Sequence, residues 1–201
     1  MKKCYPCLWF KYPNPDDGGY EEFNKKNSKF HIKKFKRQKI SEHALKNSVE
    51  KTPIDNLVKV KHFDLSGKNS AIAKACYTFG CYISRELHYG IMFNQKYLCK
   101  CSGDTWHMYL FMDGDYAIGA VGFVYQQWKN MDTLWELRWI WIHPDYRRKG
   151  ILANAFGYFK KNYSPFTVAE PLSDAMKSFL KNNSHGTVQT TGDKVFGVKV
   201  Y

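Results

Sequence analysis

The 201-residue chain has no long hydrophobic run: nothing in it approaches the roughly 18 apolar residues of a membrane-spanning helix. Its first ten residues also lack the extended apolar stretch of a signal peptide. The six cysteines are too few and too widely spread for the disulfide scaffold of a small secreted protein. We therefore expect a cytoplasmic or otherwise intracellular protein with no membrane contact.

Acidic residues are scarce. The chain has 18 Asp and Glu against 31 Lys and Arg, a formal charge of +13, and residues 1–61 alone carry 15 basic and 7 acidic side chains. Such an excess attracts phosphate-rich or acidic partners and repels small cationic ones. A disordered chain is excluded by the content of 44% hydrophobic and 17% aromatic residues. The length suits one domain with a modest appendage.

The pattern of the chain changes near Ile54. Residues 1–53 have no sustained period and include a basic run with interleaved aromatic residues over 25–39, so we expect a basic accessory segment that could contact nucleic acid. Residues 54–201 predict the order β, α, β-β-β, α, β, α, β-β, with a hairpin turn at Asp113-Gly114. This second part is the expected catalytic or binding domain.

The most informative segment is a predicted strand, turn and helix between residues 135 and 157. The strand ends in Ile142-His143-Pro144, and the turn contains Arg147-Arg148-Lys149-Gly150. A helix N-terminus presents backbone N–H groups without helical partners, and glycine allows a ligand to approach closely. The segment therefore predicts a phosphate-binding turn, although basic residues at a turn are often merely solvated.

This segment resembles the signature of the GNAT N-acetyltransferases, which is Arg/Gln-x-x-Gly-x-Gly/Ala after a strand that closes in Val-x-Pro. Leu152 departs from the signature, because it stands where Gly or Ala is usual. The resemblance implies an α/β fold with a mixed, mostly antiparallel central sheet, a splayed strand pair and flanking helices over residues 54–201. It also implies that acetyl-CoA is the cofactor. The implied binding residues are Trp141 and Ile142 for the pantetheine arm and Arg147, Arg148, Lys149, Gly150, Ile151, Leu152 and Ala153 for the diphosphate.

Residues 139–151 are also similar to the corresponding stretch of the cohesin (sister-chromatid) acetyltransferases, which carry a small C-x2-C…H-x3-H zinc module. Here Cys4 and Cys7 have the first spacing and His31 could supply a third ligand, so one zinc ion is a hypothesis. Asn27 stands where the other histidine would be. The alternative is a pair of reduced cysteines in a flexible arm.

Acetyl transfer to an amine needs a base, because only the neutral amine attacks. The first candidate is Glu136, which strict alternation along its strand would place on the face opposite Trp135, Trp139 and Trp141. Glu170 and Asp174 are the second and third candidates. Many relatives use a helical tyrosine as the acid; the matching position here is Phe179, so the acid stays unassigned.

Three functional hypotheses remain open. The favoured one is an acetyl-CoA-dependent N-acetyltransferase that modifies a protein lysine or an N-terminus by direct attack of the amine on the thioester. The second is a toxin that acetylates aminoacyl-tRNA, which the high positive charge would suit. The third is an acetyltransferase fold without activity that serves as a basic nucleic-acid-binding module.

Overall fold

The computed structural model describes residues 35–61, 70–87, 105–126, 134–169, 172–183, 188–191 and 194–201. The strands within these residues are β1 (Gln38–Lys39), β2 (Val49–Lys51), β3 (Leu57–Val60), β4 (Thr105–Asp113), β5 (Tyr116–Gln126), β6 (Leu134–Ile142), β7 (Phe166–Ala169), β8 (Val188–Thr191) and β9 (Lys194–Val200). The helices are α1 (Glu42–Ser48), α2 (Ser70–Leu87), α3 (Ile151–Tyr163) and α4 (Asp174–Asn183).

The strands form a single nine-stranded sheet in the order β2-β3-β4-β5-β6-β7-β9-β8, with β1 paired to β5 outside this path. The pair β6–β7 is parallel, and the other pairs are antiparallel. A parallel pair needs a crossover connection, and α3 supplies it. The expected α/β class with a mostly antiparallel sheet and flanking helices is therefore confirmed.

A hydrophobic core lies on each face of the sheet. On one face α1 and α2 pack on the central strands, and there Phe79 stacks on Trp141 while Tyr82 contacts both rings at an angle. On the other face α3 and α4 cover a core that includes Phe123 and Phe159. Apolar residues three or four positions apart make each helix amphipathic, so one side is buried and the other stays in solvent. None of the described helices is long and apolar enough to cross a membrane.

Strand β6 contains a bulge at Arg138. Gly122 of β5 pairs with Trp139 and the next residue, Phe123, pairs with Leu137, so Arg138 is the extra residue. Because side chains alternate between the two faces of a sheet, one extra residue moves the later side chains of the strand to the opposite face. Trp135 and Leu137 accordingly lie in the α3 core, whereas Trp139 and Trp141 lie in the α2 core. The alternation expected for this strand was wrong beyond Leu137: Glu136 shares a face with Trp139 and Trp141.

The sheet extends into the segment that the sequence analysis counted as accessory. Strand β1 pairs with β5, and β2 pairs with β3. Helix α1 connects β1 to β2. It begins after Ser41, whose side chain accepts a hydrogen bond from the Ala44 amide. Strands of two and three residues leave no hydrophobic period in the sequence, so these elements could only be recognised from their partners. Of the basic run at 25–39, residues 35–39 are described.

We expect Gly119→Ala to destabilise the protein by about 1–3 kcal/mol, as overpacking of a filled core does. A Cβ at Gly119 would lie 2.4 Å from the Trp141 carbonyl oxygen, on the backbone of the neighbouring strand. Gly157→Ala is the matched control: nothing lies within 4 Å of a Cβ at this helical position, and the change should stabilise α3 by about 0.5–1 kcal/mol. Urea unfolding of both variants measures the difference, and equal stabilities would contradict the close approach of β5 and β6.

Candidate functional site

A groove opens where β6 and β7 part. The two strands pair only at residues 135–137 of β6, and β6 continues to Ile142 without a neighbour on that side among the described residues. This is the splayed pair that the resemblance implied. The groove is narrow, with a volume of about 50 Å³. Side chains from α2, β6, β7 and the start of α4 line it: Ile83, Leu137, Arg138, Trp139, Ile140, Val168, Ala169, Leu172, Ser173 and Met176.

The free edge of β6 leads directly into the loop of residues 143–150, here called the β6–α3 loop. It begins with a 3-10 turn over Pro144–Tyr146 and ends with two left-handed residues, Arg148 at φ 60° and Gly150 at φ 76°. Glycine adopts a positive φ at no steric cost, whereas Arg148 does so at a cost. The loop thus turns sharply just before α3 begins.

The N-terminus of α3 carries no side-chain cap and no acidic residue in its first turn. The first bond along the helix runs from the Asn154 amide to the Gly150 carbonyl, 2.9 Å away, so the amides of Ile151, Leu152 and Ala153 have no partner within the helix. Together with the helix dipole, these amides form a site suited to an anion. The exposed side chains of Arg148 and Lys149 add positive charge beside it.

Arg147 points away from this site. Its guanidinium makes a two-pronged ion pair with Glu86 of α2, with 2.6 Å between Nη2 and Oε2, and its Nε donates to the Ile142 carbonyl at 2.7 Å. The Trp141 indole N–H donates to the same carboxylate at 2.9 Å. Two predicted binding residues therefore share one partner, Glu86, which the sequence analysis missed. Glu86 lies in a run of mixed residues on α2, and no motif signals it.

The opposite side of the β6–α3 loop is bound to the strand hairpin and to the N-terminal segment. The Tyr146 hydroxyl donates to Asp113 in the hairpin turn, and Arg37 donates to Tyr146 at 2.9 Å and to Asp113 at 3.3 Å. The His143 Nε2 donates to the Phe35 carbonyl at 3.2 Å. The side chain of Arg37, one of the basic residues expected to contact nucleic acid, is thus engaged within the chain.

The remaining predicted cofactor residues divide into buried and open positions. Ile142, Ile151 and Leu152 are half-buried and pack on the α3 core. Leu152, the departure from the family signature, therefore packs on the core with part of its side chain. Ala153 is exposed in the first turn of α3. At these helical positions the main chain, not the side chain, faces a ligand at the helix end.

Glu136, the first candidate base, directly precedes Leu137 and Arg138, which line the groove. Its side chain is 2% exposed and accepts a hydrogen bond of 2.8 Å from the Nη1 of Arg138, which lines the groove. Burial raises the pKa of Glu136, and the nearby positive charge of Arg138 opposes this rise only in part. A carboxylate with a raised pKa is a better proton acceptor than an exposed one.

Of the other predicted catalytic and metal residues, Asp174 lies within the described part of the chain, directly after Ser173 of the groove lining. Asp174 opens α4 with its side chain 98% exposed and 3.3 Å from the Nζ of Lys177. Glu170 lies outside the described residues, as do Cys4, Cys7 and His31. Within the described ranges no group of three or more His, Cys, Asp or Glu side chains could hold a metal ion.

A second polar cluster joins β4 to the end of α3. The Tyr163 hydroxyl, at the end of α3, is 2.8 Å from the His107 Nδ1 and also hydrogen-bonds the Tyr109 hydroxyl. Burial, with a smaller contribution from the positive charge of Lys59, lowers the pKa of His107 to about 4. At neutral pH this histidine is uncharged and packs against Trp135, with ring centroids 4.4 Å apart.

Comparison with known proteins adds little beyond the geometry. Neither the protein-family models nor the curated proteins contain a match to the chain. Among solved structures, the chain is similar to a protein from Bacteroides thetaiotaomicron assigned to the GNAT acetyltransferase family, with 14% identity and a TM-score of 0.36. The similarity covers 55% of this chain and 66% of that one, just under two thirds.

The buried neutral state of His107 predicts a pH dependence of stability. In the unfolded chain a histidine has a pKa near 6.5. Between about pH 4 and 6.5 the unfolded state therefore binds more protons than the folded state, so lowering the pH through this window destabilises the fold. We expect His107→Gln to make the free energy of unfolding fall less steeply across the window. Urea titrations at several pH values measure this slope. An unchanged slope in His107→Gln would contradict the assignment.

Proposed function

We propose that the protein is an acetyl-CoA-dependent N-acetyltransferase. The observation that carries this proposal is the continuity of two features: the free edge of β6 beyond Leu137 and the uncapped N-terminus of α3. An extended chain with amide groups could add to the strand edge by main-chain hydrogen bonds. A diphosphate at its end would then meet the helix amides. The pantetheine arm and diphosphate of coenzyme A have this sequence of groups.

The residues present fit such a ligand in charge as well as in shape. No acidic side chain lies in the first turn of α3, and Arg148 and Lys149 are exposed beside it. Because the charge of Arg147 is already matched by Glu86, the proposed diphosphate contacts are mainly the amides of residues 148–153. Trp141 and Ile142 would contribute the main chain of the strand edge.

Acetyl-CoA would supply an acetyl group activated as a thioester. The acceptor nitrogen forms a bond to the acetyl carbon, the carbon–sulfur bond breaks, and one proton leaves the nitrogen. We propose Glu136 as the acceptor of that proton, directly or through a water molecule, because its raised pKa and its place at the bulge beside the groove suit the role. Arg138 would hold the carboxylate in place. The acid that protonates the departing sulfur stays unassigned.

For the acceptor we propose a protein lysine or an N-terminal amine. The formal charge of +13 also favours the second candidate, aminoacyl-tRNA, since phosphate backbones bind basic proteins. Among the described residues of the 25–39 run, Lys36 and Lys39 would be the ones to contact such a backbone. A binding module without activity remains the alternative if acetyl-CoA does not bind. Zinc at Cys4, Cys7 and His31 is a proposal that rests on their spacing alone.

Gly150→Leu should weaken acetyl-CoA binding by about 10- to 100-fold, the effect of losing one or two hydrogen bonds to a charged group. Gly114→Leu is the matched control, because both glycines have a positive φ and open space around a new Cβ, but Gly114 lies in the hairpin turn. Both variants should lose similar stability, and only the first should lose affinity. Calorimetry at low and moderate salt provides the measurement, and equal affinities in the two variants would refute the diphosphate assignment.

Glu136→Gln should lower turnover by roughly 10²- to 10⁴-fold with little change in acetyl-CoA affinity, as expected for loss of a general base. The comparison variant is Asp174→Asn, which changes the competing candidate on the exposed start of α4. Release of coenzyme A, measured with peptides that present lysine or α-amino groups, reports the rate. A large loss in Asp174→Asn with full activity in Glu136→Gln would transfer the role to Asp174.

A further inference from the structure

We infer that Glu86 is a positioning residue: through Arg147 it sets the conformation of the β6–α3 loop, and thereby the affinity of that loop for a diphosphate. This inference deepens the proposed function and, as far as the ligand is concerned, rests on it. Glu86 lies 61 residues before Arg147 and in the last turn of α2, outside every motif of the proposed site.

One carboxylate joins three elements of the fold. Both oxygens of Glu86 bind the guanidinium of Arg147, and Oε2 also accepts from the Trp141 indole. Arg147 in turn holds the end of β6, because its Nε donates to the Ile142 carbonyl. Helix α2, strand β6 and the β6–α3 loop therefore meet at a single ion pair.

The ion pair is half-buried and ionised at neutral pH. The side chains of Arg147 and Glu86 are 37% and 31% exposed. Burial by itself would raise the pKa of Glu86, but the hydrogen bonds from Arg147 and Trp141, together with the arginine charge, hold the pKa below its ordinary value. Bidentate arginine–carboxylate pairs are also directional, so they fix orientation as well as proximity.

The orientation matters because the next residue is strained. Arg148 has a φ of 60°, which a non-glycine residue adopts at a cost and retains only when its surroundings hold it there. Just before Arg148, the contacts of Arg147 with the Glu86 carboxylate and the Ile142 carbonyl hold the chain in place. With the ion pair intact, the chain reverses through Arg148 and Gly150, and the amides at the start of α3 stay open to a ligand.

Direct charge attraction and positioning predict opposite effects for one substitution. Glu86→Gln removes a negative charge near the loop and releases the Arg147 guanidinium, so simple electrostatics predicts tighter binding of an anion. If Glu86 acts by holding the loop, the same change weakens binding although the protein becomes more positive. Arg147→Lys keeps the charge but loses the two-pronged geometry, so positioning predicts a loss there too.

The test is the affinity for coenzyme A of the wild type, Glu86→Gln, Arg147→Lys and the double variant, measured by calorimetry at two salt concentrations. We expect each single variant to bind about 5- to 30-fold more weakly, the loss typical of a charged hydrogen bond. The double variant should bind coenzyme A no more weakly than the weaker-binding single variant, because both substitutions break the same contact. The control is Asp145→Asn, which removes a 75% exposed carboxylate from the same loop and should bind as tightly as the wild type or slightly more so. Wild-type or tighter binding by Glu86→Gln would overturn the inference.

Amide hydrogen exchange without ligand separates this inference from the proposed function. In Glu86→Gln the hydrogen-bonded loop amides of His143, Tyr146 and Arg147 should exchange faster than in the wild type, while those of the β4–β5 hairpin keep their protection. Faster exchange in both regions would mean general destabilisation and would also overturn the inference, as would unchanged exchange in the loop. If the wild type fails to bind coenzyme A, the proposed function fails, and the exchange of the loop still decides whether Glu86 positions it.

Discussion

The unequal pairing of β6 is the constraint on which the candidate site depends. On one side β6 pairs with β5 along its length, and on the other it pairs, within the described parts of the chain, with β7 at three residues. The bulge at Arg138 marks the point where the two partners diverge, since the extra residue turns the rest of the strand. The groove and the unpaired strand edge lie on the side of β6 where the pairing with β7 ends, next to this bulge.

Ion pairs engage some of the basic side chains around the site, which leaves main-chain amides as the main contacts for the proposed ligand. Glu86 neutralises Arg147 and Asp113 partly neutralises Arg37, whereas Arg148 and Lys149 stay exposed. The Arg147–Glu86 ion pair holds the β6–α3 loop to α2, and the hydrogen bonds of the Tyr146 hydroxyl with Asp113 and Arg37 hold it to the hairpin and the N-terminal segment. A loop held in this way presents its amides in a fixed arrangement, and a preorganised site avoids the entropy cost of ordering the chain when the ligand binds.

Much of the local structure could be predicted from sequence, and the failures occur where a hydrophobic period is interrupted or too short to detect. The hairpin turn at Asp113-Gly114, the end of β6 at Ile142 and a helix expected from about Arg148, which begins at Ile151, follow from turn residues and hydrophobic periods, which act over a few residues. The side-chain faces of β6 could not be predicted, because one inserted residue shifts the whole period. Strands β1 and β2 were too short to carry a period, and they exist through their pairing with β5 and β3.

The sequence by itself determined the fold class, the strand–turn–helix at residues 134–163 and the glycine that such a turn requires, because these depend on neighbouring residues. Only the tertiary structure decided what each charged side chain does there. The sequence predicted Arg147 as a ligand for an anion, and the structure shows that its guanidinium pairs with Glu86, while the burial of Glu136 raises its pKa. Long-range ion pairs and burial arise when distant segments pack together, and the spacing of residues along the chain does not record them.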